Sequence, residues 1–214
     1  MTEIRGKYKV DGEEEIKENH SLKKLIIFDK DSLMESLVSG NIQSPINQKI
    51  RPGAGEAIQS FYRRGFSVAV VSNQPQVEAG EKSLESAIAE MQFCLNLMDI
   101  DFGVIAHTFE GKSAWKLGKI YRGEIWDNFG KFGSFLKPSP GMINFLIQFY
   151  GSSPSQTWLI SDDTEDAKTA EAAGSNFLAG DLVRARYLPG WSELQISVDD
   201  LGLVDPDIKA IYRV

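Results

Sequence analysis

Leu25-Ile26-Ile27-Phe28-Asp29-Lys30-Asp31 is an apolar run that stops abruptly at two carboxylates separated by one residue. Four large apolar residues in succession read as a strand buried on both faces, which in a mixed chain marks the centre of a parallel sheet. Asp29 and Asp31 then stand at the carboxyl end of that strand, where open α/β sheets place their ligands. Taken alone, Asp-Lys-Asp also suits a turn or a helix cap. Its meaning depends on what the other strand ends bring beside it.

On the C-terminal side, a loop broken by Gly40 and Pro45 leads to Arg51-Pro52-Gly53. That tripeptide introduces a helix whose apolar residues Ala54, Ala57, Ile58 and Phe61 recur at helical spacing, with Gly65 as its stop. Residues 66–71 form a second apolar, β-branched run, and it ends at Ser72-Asn73-Gln74. Residues 83–98 carry the longest helical pattern, with Leu84, Ala87, Ile88, Met91, Leu95 and Met98 on one core-facing stripe. Cys94 lies off that stripe and reads as an inert thiol, since no local cation favours its thiolate.

Residues 99–136 read as an irregular insertion, rich in Gly, Trp and Phe, with Lys112, Lys116, Lys119, Arg122 and Lys131 interspersed among acids, a candidate for substrate recognition. Its single His107 has no Cys or His at ligand spacing and reads as structural or solvent-facing. Lys137-Pro138-Ser139-Pro140-Gly141 then opens a helix in which Met142, Phe145, Leu146 and Phe149 face the core. Residues 157–160 form the next strand, which runs into Ser161-Asp162-Asp163-Thr164-Glu165-Asp166. A small-residue helix closed by Gly174 follows, then a short strand at 176–179. Residues 1–20 form a polar arm or an edge hairpin, the segment from Leu182 is weakly patterned, and 194–198 could add an edge strand.

A chain of 214 residues fits a single domain, and 42% hydrophobic with 25% charged residues places it among ordinary globular proteins. A formal net charge of -7 argues against broad nonspecific binding to nucleic acid. One cysteine excludes an internal disulfide and a cysteine-rich zinc site, which suits a reducing, cytoplasmic setting. No signal peptide and no membrane-length apolar run is read, so a membrane is not among the expected partners.

The order strand, helix, strand, helix, insertion, helix, strand, helix, strand is the βαβ alternation of a doubly wound, Rossmann-like parallel sheet with helices on both faces. Right-handed crossovers bring Asp29/Asp31, Ser72/Asn73 and Asp162/Asp166 to one edge of that sheet. Carboxylates without histidine or cysteine suit a hard, oxygen-loving cation, and Mg²⁺ with retained waters is the natural choice. Lys137 is a candidate second cation for this crowd of acids; the plainer reading is an exposed loop lysine.

The four clusters, in order and at suitable spacing, resemble the motifs of the haloacid dehalogenase (HAD) superfamily of phosphatases. Asp29-Lys30-Asp31 is similar to its Asp-x-Asp motif, Ser72 to its Ser/Thr motif, Lys137 to its lysine, and Asp162-x-x-x-Asp166 to its acidic motif. Val71-Ser72-Asn73-Gln74 and Lys137-Pro138-Ser139-Pro140-Gly141-Met142 look most like subfamily III, which holds histidinol-phosphate and heptose-bisphosphate phosphatases, with polynucleotide 3'-phosphatases more distant. The resemblance implies a single HAD-like domain over 1–214 with little or no cap, a small cap from 99–136 being the alternative. It implies that Asp29 is the nucleophile and Asp31 the proton donor and later the base. It implies that Ser72, Asn73 and Lys137 bind the phosphoryl group, and that Asp29, Asp31 through its main-chain carbonyl, Asp162 and Asp166 serve Mg²⁺.

The implied substrate is a small-molecule phosphate ester, hydrolysed through an aspartyl-phosphate. A non-catalytic phosphate-binding scaffold, a phosphotransferase and a polynucleotide 3'-phosphatase are the alternatives. Ser32 and Leu33 stand where relatives usually have Gly and Thr or Val, Ser161 replaces a usual Gly, and the zinc-binding cysteines of many relatives are absent.

Overall fold

The computed structural model describes residues 23–38, 42, 44–118, 122–126 and 130–188. The predicted N-terminal arm and the strand at 194–198 lie outside the described residues. Strand β1 (Leu25–Asp29) is buried along its whole length, as its unbroken apolar run requires. It lies between β4 (Ser67–Asn73) and β8 (Thr157–Ser161), parallel to both. Strands β5 (Phe102–Ala106) and β9 (Asn176–Ala179) extend the parallel set on either side. Beyond β5, β6 (Ser113–Gly118) and β7 (Arg122–Trp126) add antiparallel edges, giving the order β7-β6-β5-β4-β1-β8-β9.

Alternate residues of β1 feed two cores. Ile26 and Phe28 pack with Ile58 and Phe61 of α2 (Ala54–Arg63), Met91 and Leu95 of α3 (Leu84–Met98), and Val183 of α6 (Gly180–Ala185). Leu25 and Ile27 pack on the other face with Met142, Ile143 and Leu146 of α4 (Gly141–Tyr150) and Ala170 and Ala173 of α5 (Glu165–Ala173). Burying each of these large side chains stabilises the fold by about 1.5–3 kcal/mol, and both faces are needed to hold a central parallel strand. A four-residue α1 (Lys30–Leu33) caps β1, and β2 (Met34–Ser36) pairs antiparallel with β3 (Gln48–Ile50).

Four expectations require correction. Residues 99–136 are not irregular, because they contain β5, β6 and β7, which continue the main sheet instead of building a separate cap. Glycine and lysine between the apolar positions of β6 and β7 obscure a two-residue period that pairing on β5 enforces. The segment from Leu182, read as weakly patterned, includes most of α6, whose Arg184 reaches Asp162 just past the end of β8. The buried stripe of α3 runs through Ala87, Glu90, Met91, Cys94, Leu95 and Met98, so it includes a carboxylate and the thiol. Cys94 is fully buried and its pKa is pushed up to about 12 by that burial, which keeps it inert. Phe149, expected in the core, is 43% exposed, stacking on Phe102 at 4.4 Å and meeting Tyr150 edge-on at 5.2 Å.

His107 is buried with its Nε2 3.5 Å from Glu124. Among the described residues no helix is long and apolar enough to cross a membrane.

Candidate active site

Parallel pairing of β4, β1 and β8 aligns their carboxyl ends, so Asp29, Ser72-Asn73 and Asp162 open onto one crevice. Asp29 ends β1 and caps α1, its Oδ2 accepting the Asp31 amide at 2.9 Å. The α1 turn throws the Asp31 side chain outward, where it is 70% exposed. Two carboxylates one residue apart thus occupy different environments, Asp29 buried against Lys137 and Asp31 open to solvent.

Lys137 is not the exposed loop lysine of the plainer reading. Its ammonium is buried and donates to Asp29 Oδ1 at 2.7 Å and Asp166 Oδ2 at 2.6 Å. Burial pushes its pKa down, but the two carboxylates outweigh that and hold it above the ordinary lysine value. The backbone of Lys137 is pinned by Asn73, whose Nδ2 donates to the Lys137 carbonyl and whose Oδ1 accepts the Lys137 amide, both at 3.0 Å. A side chain at the end of β4 therefore positions a cation 64 residues away in sequence.

Asp166, expected beside the metal-holding acids, is engaged by Lys137. Burial raises its pKa while Lys137 pulls the other way. Asp162 faces Arg184 of α6, whose Nη1 lies 2.9 Å from Oδ2 and 3.2 Å from Oδ1. The same guanidinium donates to the Ser32 carbonyl at 2.8 Å, and Ser32 Oγ accepts the Asp162 amide at 2.9 Å. Ser161 Oγ accepts the Asp163 amide at 3.1 Å. The two serines that depart from the family pattern thus tie the acidic loop together.

Arg51 and Arg184 escaped the sequence reading. Arg51 Nε donates to the Asp31 carbonyl at 2.7 Å. Its place directly before Pro52-Gly53 was a usable signal, whereas nothing in the local pattern around Arg184 pointed to a site 22 residues upstream.

A cleft of about 390 Å³ joins these groups, with six acids (Asp29, Asp31, Asp162, Asp163, Glu165 and Asp166) against Arg51 and Lys137. Among the described residues no three His, Cys, Asp or Glu side chains form a metal cage. Mg²⁺ needs none, since it takes one or two carboxylates and keeps waters. The Asp29 and Asp162 carboxylates and the Asp31 carbonyl are an all-oxygen set of that kind, so the residues fit the ion.

The central strands of this doubly wound sheet thus end together in a split carboxylate pair, Ser72-Asn73 and a lysine-acid bridge. The chain belongs to the haloacid dehalogenase-like hydrolases, whose family model matches residues 10–174. It is 24% identical over 190 residues to the D-glycero-beta-D-manno-heptose-1,7-bisphosphate 7-phosphatase of Pseudomonas putida, covering 89% of this chain and 98% of that relative. The Haemophilus ducreyi enzyme of the same name is 24% identical over 162 residues, covering 71% of this chain and 79% of the relative. The crystal structure of D,D-heptose 1,7-bisphosphate phosphatase from B. bronchiseptica, complexed with magnesium and phosphate, shares the fold. Its TM-score is 0.55 at 19% identity, over 73% of this chain and 79% of that one.

Proposed function

We propose that the chain is a Mg²⁺-dependent phosphomonoester hydrolase that works through an aspartyl-phosphate on Asp29. The observation that carries this reading is the buried Lys137 bridge between Asp29 and Asp166 beside an outward-facing Asp31. Lys137 and the Asp31 amide each hold one Asp29 oxygen, which fixes the carboxylate while leaving a lone pair for attack. A bond forms from Asp29 to phosphorus as the ester P–O bond breaks, and Asp31 gives its proton to the departing oxygen. Asp31 then takes a proton from water as the water oxygen attacks phosphorus, which frees Asp29 and inorganic phosphate. Ser72, Asn73 and Lys137 receive the phosphoryl oxygens, because alignment and charge neutralisation are most of what this transfer needs. Mg²⁺, held by the Asp29 and Asp162 carboxylates and the Asp31 carbonyl, would neutralise phosphoryl charge.

A neighbouring cavity of about 410 Å³ shares Asp31, Arg51 and Asn73 with the cleft and is lined further by Glu35, Gln76 and Lys82. Donors and acceptors of both signs suit a polyhydroxylated leaving group, so a phosphorylated sugar is the substrate class we assign. The names of the 24% identical relatives agree with that class.

The test is phosphate release from p-nitrophenyl phosphate and a panel of sugar phosphates, with and without Mg²⁺. Asp29→Asn is expected to lower the rate by at least about a thousandfold, the scale of losing a nucleophile. Equal rates for the variant and the wild type would refute the reading.

A further inference from the structure

At the inner wall of that neighbouring cavity, which Lys82 lines, lies a set of buried charges that the chemical steps above do not use. Glu90 on α3 is 1% exposed, Lys30 2%, and the Lys82 side chain 9%. Lys82 Nζ donates to Glu90 Oε2 at 3.0 Å, the Ile42 carbonyl at 3.2 Å and Gln74 Oε1 at 3.1 Å. Lys30 Nζ approaches the same Glu90 oxygen at 3.8 Å. Gln74 Nε2 in turn donates to Ser72 Oγ at 3.0 Å.

This chain has a direction. An ammonium has three donors and no acceptor, so only the carbonyl oxygen of the Gln74 amide can face Lys82. The NH₂ group must then face Ser72, and the serine oxygen accepts. Its proton goes to the Asn73 main-chain carbonyl at a long 3.4 Å, a weak contact that a better acceptor in the cleft would replace. Ser72 lines the cleft with Asp29 and Lys137, and a bound oxyanion there is that better acceptor. With the Gln74 amide reversed, its NH₂ would oppose the ammonium, and Ser72 would spend its proton on Gln74 instead.

We propose that Lys82, held by Glu90, is a positioning residue that acts through Gln74 to present the Ser72 hydroxyl as a hydrogen-bond donor to the phosphoryl group. The inference rests on the phosphatase reading for the role of Ser72, but its test does not depend on turnover. Gln74→Glu keeps the ion contact with Lys82 and replaces the NH₂ by an acceptor, which reverses the serine proton. Lys82→Met removes the lock, Lys82→Arg restores a donor, and thermal melting shows that each variant is folded.

Both kcat/KM on p-nitrophenyl phosphate and the affinity for inorganic phosphate, read by calorimetry, are measured in the wild type and in the Ser72→Ala background. Gln74→Glu and Lys82→Met are each expected to lose about tenfold in both quantities, the worth of one misdirected hydrogen bond. Lys82→Arg recovers most of it, and neither loss recurs in the Ser72→Ala background. Equal losses in both backgrounds, or no loss from Gln74→Glu, overturn the relay in favour of a purely structural role. If Ser72→Ala itself changes neither quantity, the relay is also overturned, while Asp29→Asn separately decides the phosphatase reading. If no phosphate is released at all, that reading fails and the calorimetric cycle alone decides the relay.

Discussion

Lys137 has both of its acids within 2.7 Å and almost no contact with solvent, so its removal strands two buried carboxylates. Lys137→Met is expected to lose about 3 kcal/mol at neutral pH by urea unfolding, the scale for breaking a buried pair on one side. The wild-type contribution of this lysine has a definite pH window. Its pKa is raised above the ordinary 10.5, so the stabilisation is complete below that value and is lost as pH rises through the folded value. The variant should slope differently at the acid end. Asp166 is already raised by burial against the pull of Lys137, and without that pull the excess of protons bound by the folded chain over the unfolded one grows. Lys137→Met should therefore regain stability relative to wild type as pH is lowered from 8 to 5, and an unchanged difference across that range would sink the account. In the sequence Asp29, Ser72 and Asp162 were legible as candidates because each ends or follows a recognisable apolar run, and Lys137 because it stands ahead of the Pro138 helix start as a cation for a crowd of acids. The burial of Lys137 was not, since proline-rich flanks look the same on a surface loop.

Gly53, the N-cap of helix α2, has φ of +81° and sits against the C-terminal part of α6. A Cβ there would lie 2.3 Å from the Arg184 carbonyl oxygen, so the close approach of the two helices requires glycine. Gly53→Ala is expected to cost about 2–3 kcal/mol by urea unfolding from the left-handed φ and the backbone clash together. Because Arg184 also holds Ser32 and Asp162, the same substitution should weaken Mg²⁺ binding measured by calorimetry; Gly65→Ala, whose Cβ meets open space, supplies the control for φ alone. Helices α2 to α5 were legible from apolar spacing and glycine stops, the stripe of α3 apart. Strands β6 and β7 and helix α6 were not, because short segments rich in glycine and charge acquire their form from the neighbour they pair with, and the buried run of β5 was passed over at the start of the same irregular segment.

Six acids line the crevice at one edge of an acidic molecule, and three oxygen donors there are the proposed Mg²⁺ ligands. A cation bound by the native state alone stabilises it by mass action. Millimolar Mg²⁺ is therefore expected to raise the melting temperature more than NaCl at equal ionic strength, and Asp162→Asn should abolish the excess. A rise of the same size in that variant would place the ion elsewhere. The apolar run before Asp29-Lys30-Asp31, the alternation of strands and helices, and the polar strand ends determined the doubly wound sheet and its reactive edge, because burial on two faces leaves a strand little other choice. Only the tertiary structure decided which charges meet: Lys137 with Asp29 and Asp166, Arg184 with Asp162, and Lys82 with Glu90 behind Ser72. Pairing of buried charges depends on distances of a few ångströms between elements far apart in the chain, and local pattern carries no record of those distances.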